Sequence, residues 1–355
     1  MIGERLKRAR AASGLSMSSL GDLAGVSANM IKKYEHNLSM PSSGVLIKLS
    51  SALGVKSEYF FRQEHVQLLE VEYRKRASAS RSLLKKVEAD VLDQAERWQE
   101  LANLWPNFPI KPFKGVDGLT TSVETLEEAE EVADRIRESW GLGKLPLSDL
   151  IDVLETHGIL VIVTDVDSGA KFDGLQASVA GQPVVVVSST WPGDRQRFTL
   201  AHELGHLLLS DRLASEIDEE KACNRFASAL LLPAASVRQH LGEKRSSLEP
   251  RELALLKQEF GVSMAACLYR AADLGIIDRS TCQKMYIVFS QRGWRKQEPG
   301  PALPQEQTLL FQQLVYRALG EDIIGEAKAA ELLKLPLMSF HQIRKMESSH
   351  SAAHQ

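Results

Sequence analysis

The stretch RFTLAHELGHLLL, residues 197–209, sets two histidines and a glutamate into an otherwise apolar run. On a helix of about 3.6 residues per turn, His202 and His206 share one face, one turn apart. Two imidazoles so placed can hold one metal ion between them. Glu203 follows the first histidine, where its carboxylate can reach a water beside the metal without ligating the metal itself. Phe198, Leu200, Leu204, Leu207, Leu208 and Leu209 would bury this helix. Burying polar groups there without partners costs about 2–7 kcal/mol each. A metal removes that cost.

A catalytic zinc keeps three protein ligands and one open position, so a third ligand must lie downstream. Asp211, Glu216, Asp218, Glu219 and Glu220 are the candidates. EEKACNRFASALLLP, residues 219–233, reads as a second helix, with Ala222, Phe226, Ala229 and Leu230 on its apolar side. Glu220 and Asn224 stand one turn apart on a shared face. Glu220 can bind the metal while Asn224 orients a histidine by hydrogen bonding. Glu219 is its rival, since a helix turns by about 100° per residue. Cys223 reads as a small buried helix residue.

The H-E-x-x-H spacing is the signature of zinc metalloprotease helices. RQRFTLAHELGHLLL followed by EKACNRFASALLLP resembles the ImmA/IrrE family of zinc metallopeptidases. FDGLQASVAGQPVVVVSS and GVSMAACLYRAADLGII extend the likeness over most of residues 120–280. The resemblance implies Zn2+ on His202, His206 and Glu220, with Asn224 behind them and Glu203 as the catalytic base. Zinc would activate a water and polarise the scissile carbonyl. Glu203 would take the proton of that water and hand it to the leaving amine. Tyr269, Arg270 and His240 are candidates for steadying the oxyanion. Many relatives carry a further His beyond the helix, where this chain has Ser210-Asp211.

Other segments must position these residues. "LPLSDLIDVLETHG" predicts a helix, and "ILVIVTDV", "GLQASVA" and "PVVVVSS" predict strands, giving a small sheet beside the metal helix. In metalloproteases of this architecture an edge strand pairs with the substrate backbone. Val184–Val187 suits either that edge or a buried core strand. Residues 64–104 read as one long helical stretch, with Leu83, Leu84, Val87, Val91, Ala95, Trp98 and Leu101 as an apolar stripe that needs a partner. That makes it a connector or a dimer surface. The prolines of PNFPIKPFKG break it, and a Glu-rich helix follows at 122–141.

The first 62 residues have a different rhythm. Short helical runs end at Gly14 and at Gly25-Val26-Ser27, a third spans Ala28 to His36, and a fourth follows Pro41. Ser27 suits the N-cap of the third. Helix, tight turn, helix is the helix-turn-helix order. This region holds nine Lys/Arg against four Asp/Glu, a charge of +5 in a chain of net −3, which suits phosphate contact. LAGVSANMIKKYEHN and the KLSSALGV that follows resemble XRE (Cro/C1-type) repressors. The likeness implies that the third helix enters the major groove of double-stranded operator DNA. Ser27, Ala28, Asn29, Lys32 and Lys33 are then the DNA-binding candidates, with Asn29 suited to adenine and the lysines to guanine or phosphate. Met17-Ser18-Ser19 stands where many relatives begin the second helix with Gln.

At the other end, YIVF (286–289) reads as a strand, and EQTLLFQQLVYRALGEDIIGEAKAAELLKLPL as two helices around a turn. The last ten residues read as a frayed tail carrying solvated His350 and His354.

Composition is that of a soluble globular protein, 44% hydrophobic and 25% charged in 355 residues. Cys223, Cys267 and Cys282 form no CxxC pair, and their odd number argues against a disulfide framework. No apolar run reaches membrane length and the chain opens on charged residues, so a cytoplasmic location is expected, with no membrane partner. The fold class expected is mainly α with α+β: a helix-turn-helix bundle at 1–65, a helical connector at 66–118, a zincin-like metallopeptidase domain with a small mixed sheet at 119–282, and a helical C-terminal region at 283–355. The function expected is a DNA-binding transcriptional regulator whose zinc endopeptidase cleaves a repressor or antitoxin-like protein, acting as a homodimer. Its alternative is a non-catalytic repressor or antitoxin whose metallopeptidase-like fold binds a toxin, another partner or a signal. A third reading makes the zinc structural.

Overall fold

A computed structural model describes residues 2–61, 68–75, 80–166 and 172–346. Its elements run α1 (Ile2–Ser13), α2 (Met17–Ala24), α3 (Ala28–Glu35), α4 (Ser43–Leu53), a short 3-10 turn (Ser57–Phe61), β1 (Leu68–Lys75) and α5 (Arg81–Leu104). They continue through α6 (Leu126–Ser139), α7 (Leu150–Thr156), β2 (Leu160–Thr164), β3 (Phe172–Val179), β4 (Gln182–Ser188), α8 (Gly193–Leu209) and α9 (Glu219–Leu231). Then come α10 (Ala234–Leu241), α11 (Pro250–Phe260), α12 (Met264–Asp273), α13 (Arg279–Gln291), α14 (Leu310–Gly320), α15 (Glu326–Leu332) and α16 (Leu337–Arg344). The chain divides into two compact units. One holds residues 1–69, 79–111 and 308–355; the other holds 70–78 and 112–307.

In the first unit, serine caps punctuate the helices. Ser16, Ser27 and Ser42 accept from the backbone N–H of Ser19, Met30 and Val45, satisfying donors that a helix N-terminus otherwise leaves orphaned. Leu6, Leu20, Ile31, Leu49 and Phe60 close a core beneath them. α5 packs on α1, with Glu96 accepting from both Arg5 and Arg8. The stripe of α5 is spent inside this unit: Val87, Val91, Ala95, Trp98 and Leu101 are all buried, and Trp98 meets Phe108 and Phe311. It needs no second chain to cover it.

The second unit carries a four-stranded sheet of order β1-β3-β4-β2. β2 runs parallel to β4 with Leu160 opposite Val184, and β3 runs antiparallel to β4 with Leu175 opposite Val186. β4 is therefore interior, and Val184–Val187 is a core strand. Val161, Val185 and Val187 share a core with Leu200, Leu204 and Leu208 of α8, Phe226 and Leu230 of α9, and Val132 and Ile136 of α6. Two buried ion clusters brace it. Arg270, fully buried, donates to both oxygens of Glu130, which also accepts from Arg225. Arg197 pairs with Glu306, which accepts the N–H groups that open α7.

Two expectations change. Residues 64–104 are not one helix: 68–75 is strand β1, and the helix starts at Arg81. LLEVEYRK alternates apolar and polar types with period two, whereas the stripe that follows has the helical period. YIVF lies inside α13, because Cys282, Met285, Tyr286 and Phe289 form a helical face on the core while the β-branched Ile287 and Val288 stay exposed. The stretch from Glu306 to Leu337 forms the two expected helices, α14 and α15, around a turn, and Pro336 then caps a further helix, α16. Of the expected tail at 346–355, residues 347–355, with His350 and His354, lie outside the described residues.

Candidate metal centre

α8 and α9 cross closely because Gly205 has no side chain. A Cβ there would stand 3.2 Å from Cys223 Cα and from Phe226 Cδ1, tighter than ordinary contact. This approach brings the histidines of α8 to the acidic first turn of α9, which Asp218 caps by accepting from Lys221 N–H. Asp218 is thereby spent as a cap.

His202 Nε2 lies 3.0 Å from His206 Nε2. Glu220 places Oε2 3.5 Å from His202 Nε2 and Oε1 3.4 Å from His206 Nε2. The ligand atoms of all three residues fall within 4.8 Å of one another. The other ring nitrogens fix the protonation. His202 Nδ1 stands 2.9 Å from Asn224 Oδ1 and His206 Nδ1 2.9 Å from Glu219 Oε1. Both partners are acceptors, so Nδ1 is the donating nitrogen of each ring, and the neutral tautomer this selects offers a lone pair inward from Nε2. Two lone pairs and a carboxylate converging on one point repel each other unless a cation lies among them. The donor set fits a divalent metal, and two imidazoles with one carboxylate fit zinc.

Glu219, the rival ligand, is turned to another task. It also accepts from Ser210 Oγ at 2.6 Å, and the hydrogen bonds from Ser210 and His206 hold its carboxyl below the ordinary value. His206, Glu219 and Cys223 form a second close group, but there His206 meets Glu219 through the nitrogen that is already donating. Glu203 is almost wholly buried. It faces the sheet rather than α9: a Cβ on Gly174 of β3 would lie 3.6 Å from its Oε1 and 2.9 Å from the Val186 carbonyl. The contacts that exclude a side chain at Gly174 are those with the Val186 carbonyl and with Thr199 Cγ2 at 3.0 Å.

The proposed oxyanion helpers have other contacts. Arg270 is consumed by Glu130 and by the carbonyl of Leu232. His240 pairs with Glu259. Tyr269 packs against Tyr286, and its hydroxyl is pushed up to about 12 by burial and by the hydrogen bond it donates to that neighbour.

In the other unit, Ser27, Ala28, Asn29, Lys32 and Lys33 form one exposed face of α3. Ser27 Oγ is the helix cap, which leaves the other four for outward contact. Part of the +5 charge is not available there. Arg5 and Arg8 are tied to Glu96, and Arg10 is held by both oxygens of Glu35. Lys48, exposed on α4, reaches over the turn after α2, near Gly25.

Comparison with known proteins separates the same two parts. Residues 6–60 match the Helix-turn-helix family model, and residues 154–272 match the model described as IrrE N-terminal-like domain. The chain joins an XRE-type helix-turn-helix domain to an IrrE N-terminal-like domain. It is 35% identical over 138 residues to the radiation response metalloprotease IrrE of Deinococcus radiodurans, covering 34% of this chain and 40% of that protein. It is 36% identical over 67 residues to YonR of Bacillus subtilis, an SPbeta prophage-derived HTH-type transcriptional regulator, covering 19% of this chain and 62% of that one. The chain thus spans less than two thirds of either relative.

The IrrE N-terminal-like domain runs from α7 into α12 and contains β2–β4, α8 and α9 with all the convergent donors. β1 lies outside both matches. Of the residues that sequence reasoning singles out, the structure brings His202, His206 and Glu220 together, sets Asn224 behind His202 and leaves Glu203 beside β3. Sequence reasoning missed Glu219 and Ser210 as the support behind His206. The signal was present: Glu219 sits one residue before Glu220, and Ser210 is one turn beyond His206.

Proposed function

We propose that this chain is a DNA-binding transcriptional regulator whose second domain is a zinc-dependent endopeptidase. The convergence of His202 Nε2, His206 Nε2 and Glu220, with Glu203 set beside β3, carries the reading. Similarity to a protein named as a metalloprotease supports it. When bound, zinc supplies Lewis acidity to the scissile carbonyl and lowers the pKa of water. Asn224 and Glu219 hold the two rings with their Nε2 atoms inward. Glu203 Oε1 or Oε2 takes the water proton and returns it to the leaving nitrogen. On the DNA side, α3 offers Ala28 and Asn29 to base edges and Lys32 and Lys33 to guanine or phosphate, while Ser27 sets the start of the helix. The substrate class proposed is a repressor or antitoxin-like protein that shares the operator, and a homodimer suits a two-fold site.

The test is a comparison of new protein N-termini in cells expressing wild type or Glu203→Gln. Wild-type-specific termini in a DNA-binding regulator are expected, with zinc retained in both proteins. Identical termini in the two cultures overturn the peptidase assignment.

A further inference from the structure

We propose that the outer edge of β3 is the peptide-receiving strand of the metal centre, and that residues 70–75 of this same chain occupy it in cis. The first half rests on the peptidase reading; the occupancy does not.

β4 is bonded on one side to β2 and on the other to β3, so β3 would end the sheet if β1 were absent. β3 is also the strand beside the Glu203 carboxylate, since a Cβ built on its Gly174 would stand 3.6 Å from Glu203 Oε1. Extended peptides bind proteins by adding a strand to such an edge, taking affinity from main-chain hydrogen bonds. β1 makes that addition here. The occupant is not part of the matched domain. Residues 154–272 contain β2, β3, β4, α8 and α9, whereas β1 joins this unit from residues 70–78, far from its main body at 112–307. The receiving edge thus belongs to the IrrE-like domain, and its cover is supplied by the segment that follows the helix-turn-helix match in sequence. β1 and β3 are eight residues each. At about 3.3 Å per residue, one can cover the other end to end. A substrate strand must then displace β1 before it reaches Glu203, so the chain shields its own cleft.

Hydrogen–deuterium exchange on the metal-free full chain tests this. Adjacent strand residues point their N–H groups to opposite sides. In the double variant Val71→Pro/Glu72→Pro, one lost donor therefore faces β3 in any register. Peptides covering 172–179 should exchange at least tenfold faster in this variant than in wild type. Peptides covering 160–164 should keep their protection and so report an intact fold. Val71→Thr/Glu72→Thr, which keeps strand chemistry, should leave β3 protected. Adding excess synthetic peptide LLEVEYRK should restore protection to β3 in the proline variant. Equal β3 exchange in wild type and the proline variant overturns the cis occupancy. Failure of the peptide to restore protection overturns the receiving edge. Neither readout needs metal or cleavage, so the peptidase reading is judged separately by the new N-termini.

Discussion

His202 and His206 face each other through Nε2 at 3.0 Å, while each gives its Nδ1 proton to a different acceptor, Asn224 or Glu219. In the tautomer those bonds select, the two Nε2 lone pairs repel each other, and a cation between them removes the repulsion. Purified wild type should carry close to one zinc per chain by elemental analysis. His206→Ala and Glu220→Ala should carry almost none. Ligand binding stabilises by mass action, about 4 kcal/mol at a thousandfold excess over Kd. Chelation should therefore lower the melting temperature of wild type and leave both variants unmoved. A folded wild type without zinc would remove the basis of the site.

The outer acceptors should matter nearly as much as the ligands. Asn224→Ala frees the His202 ring to turn and to change tautomer, and loss of such a partner typically costs about 10–100-fold in metal affinity. Glu219→Ala should do the same through His206. Ser210→Ala, which removes only the support of Glu219, should have a smaller effect. Competition against a chromophoric chelator measures all three. Equal affinity in wild type and Asn224→Ala would show that the hydrogen bond does not hold the ring.

These features differ in how readable they were. His202, Glu203 and His206 could be placed because one helix sets their spacing by its period alone. Glu220 needed a second helix, and its distinction from Glu219 depended on a rotation of about 100° per residue that sequence fixes loosely. The role of β1 was hidden. LLEVEYRK has the period of a strand, but it precedes a long helical stripe, and the two were merged into one element. Which strand lies at the edge is a matter of non-local pairing, which local pattern does not encode. The charge of residues 1–62 was read correctly as a sum. Its distribution was not, because Glu96 binds Arg5 and Arg8 from 91 and 88 residues away in sequence.

Glu130 should govern acid stability of the second unit. Burial pushes its carboxyl up, but hydrogen bonds and charge from Arg270 and Arg225 overcome this and hold it below the ordinary 4.5. A carboxyl with a depressed folded pKa stabilises fully above its unfolded value. That stabilisation is lost as pH falls through the depressed value. Glu130→Gln leaves Arg270 buried without its counter-charge, and breaking a buried pair in this way costs about 3–5 kcal/mol. Urea melts at pH 7 should show that loss. Below pH 4.5 the gap between wild type and variant should narrow, because the unfolded chain then takes up a proton at Glu130 that the folded chain resists until pH passes its depressed value. A gap that stays constant from pH 7 to pH 3 would assign the loss to packing rather than charge.

DNA binding should separate free cations from paired ones. Lys32 and Lys33 are exposed on α3, whereas Arg8 is engaged with Glu96. Each lysine that contacts phosphate releases a counterion, so Lys32→Ala or Lys33→Ala should reduce the slope of log K against log salt by about 1. Arg8→Ala should leave that slope unchanged, although it carries the same formal charge in the same region. Asn29→Ala should act differently again. If it reads adenine, it costs about 1–3 kcal/mol on the preferred operator and little on random DNA. Titrations of an operator selected from a random library, at several salt concentrations, give all four values. A slope change for Arg8→Ala as large as that for the lysines would mean that the Glu96 pair opens on DNA, and that α1 also meets the phosphates.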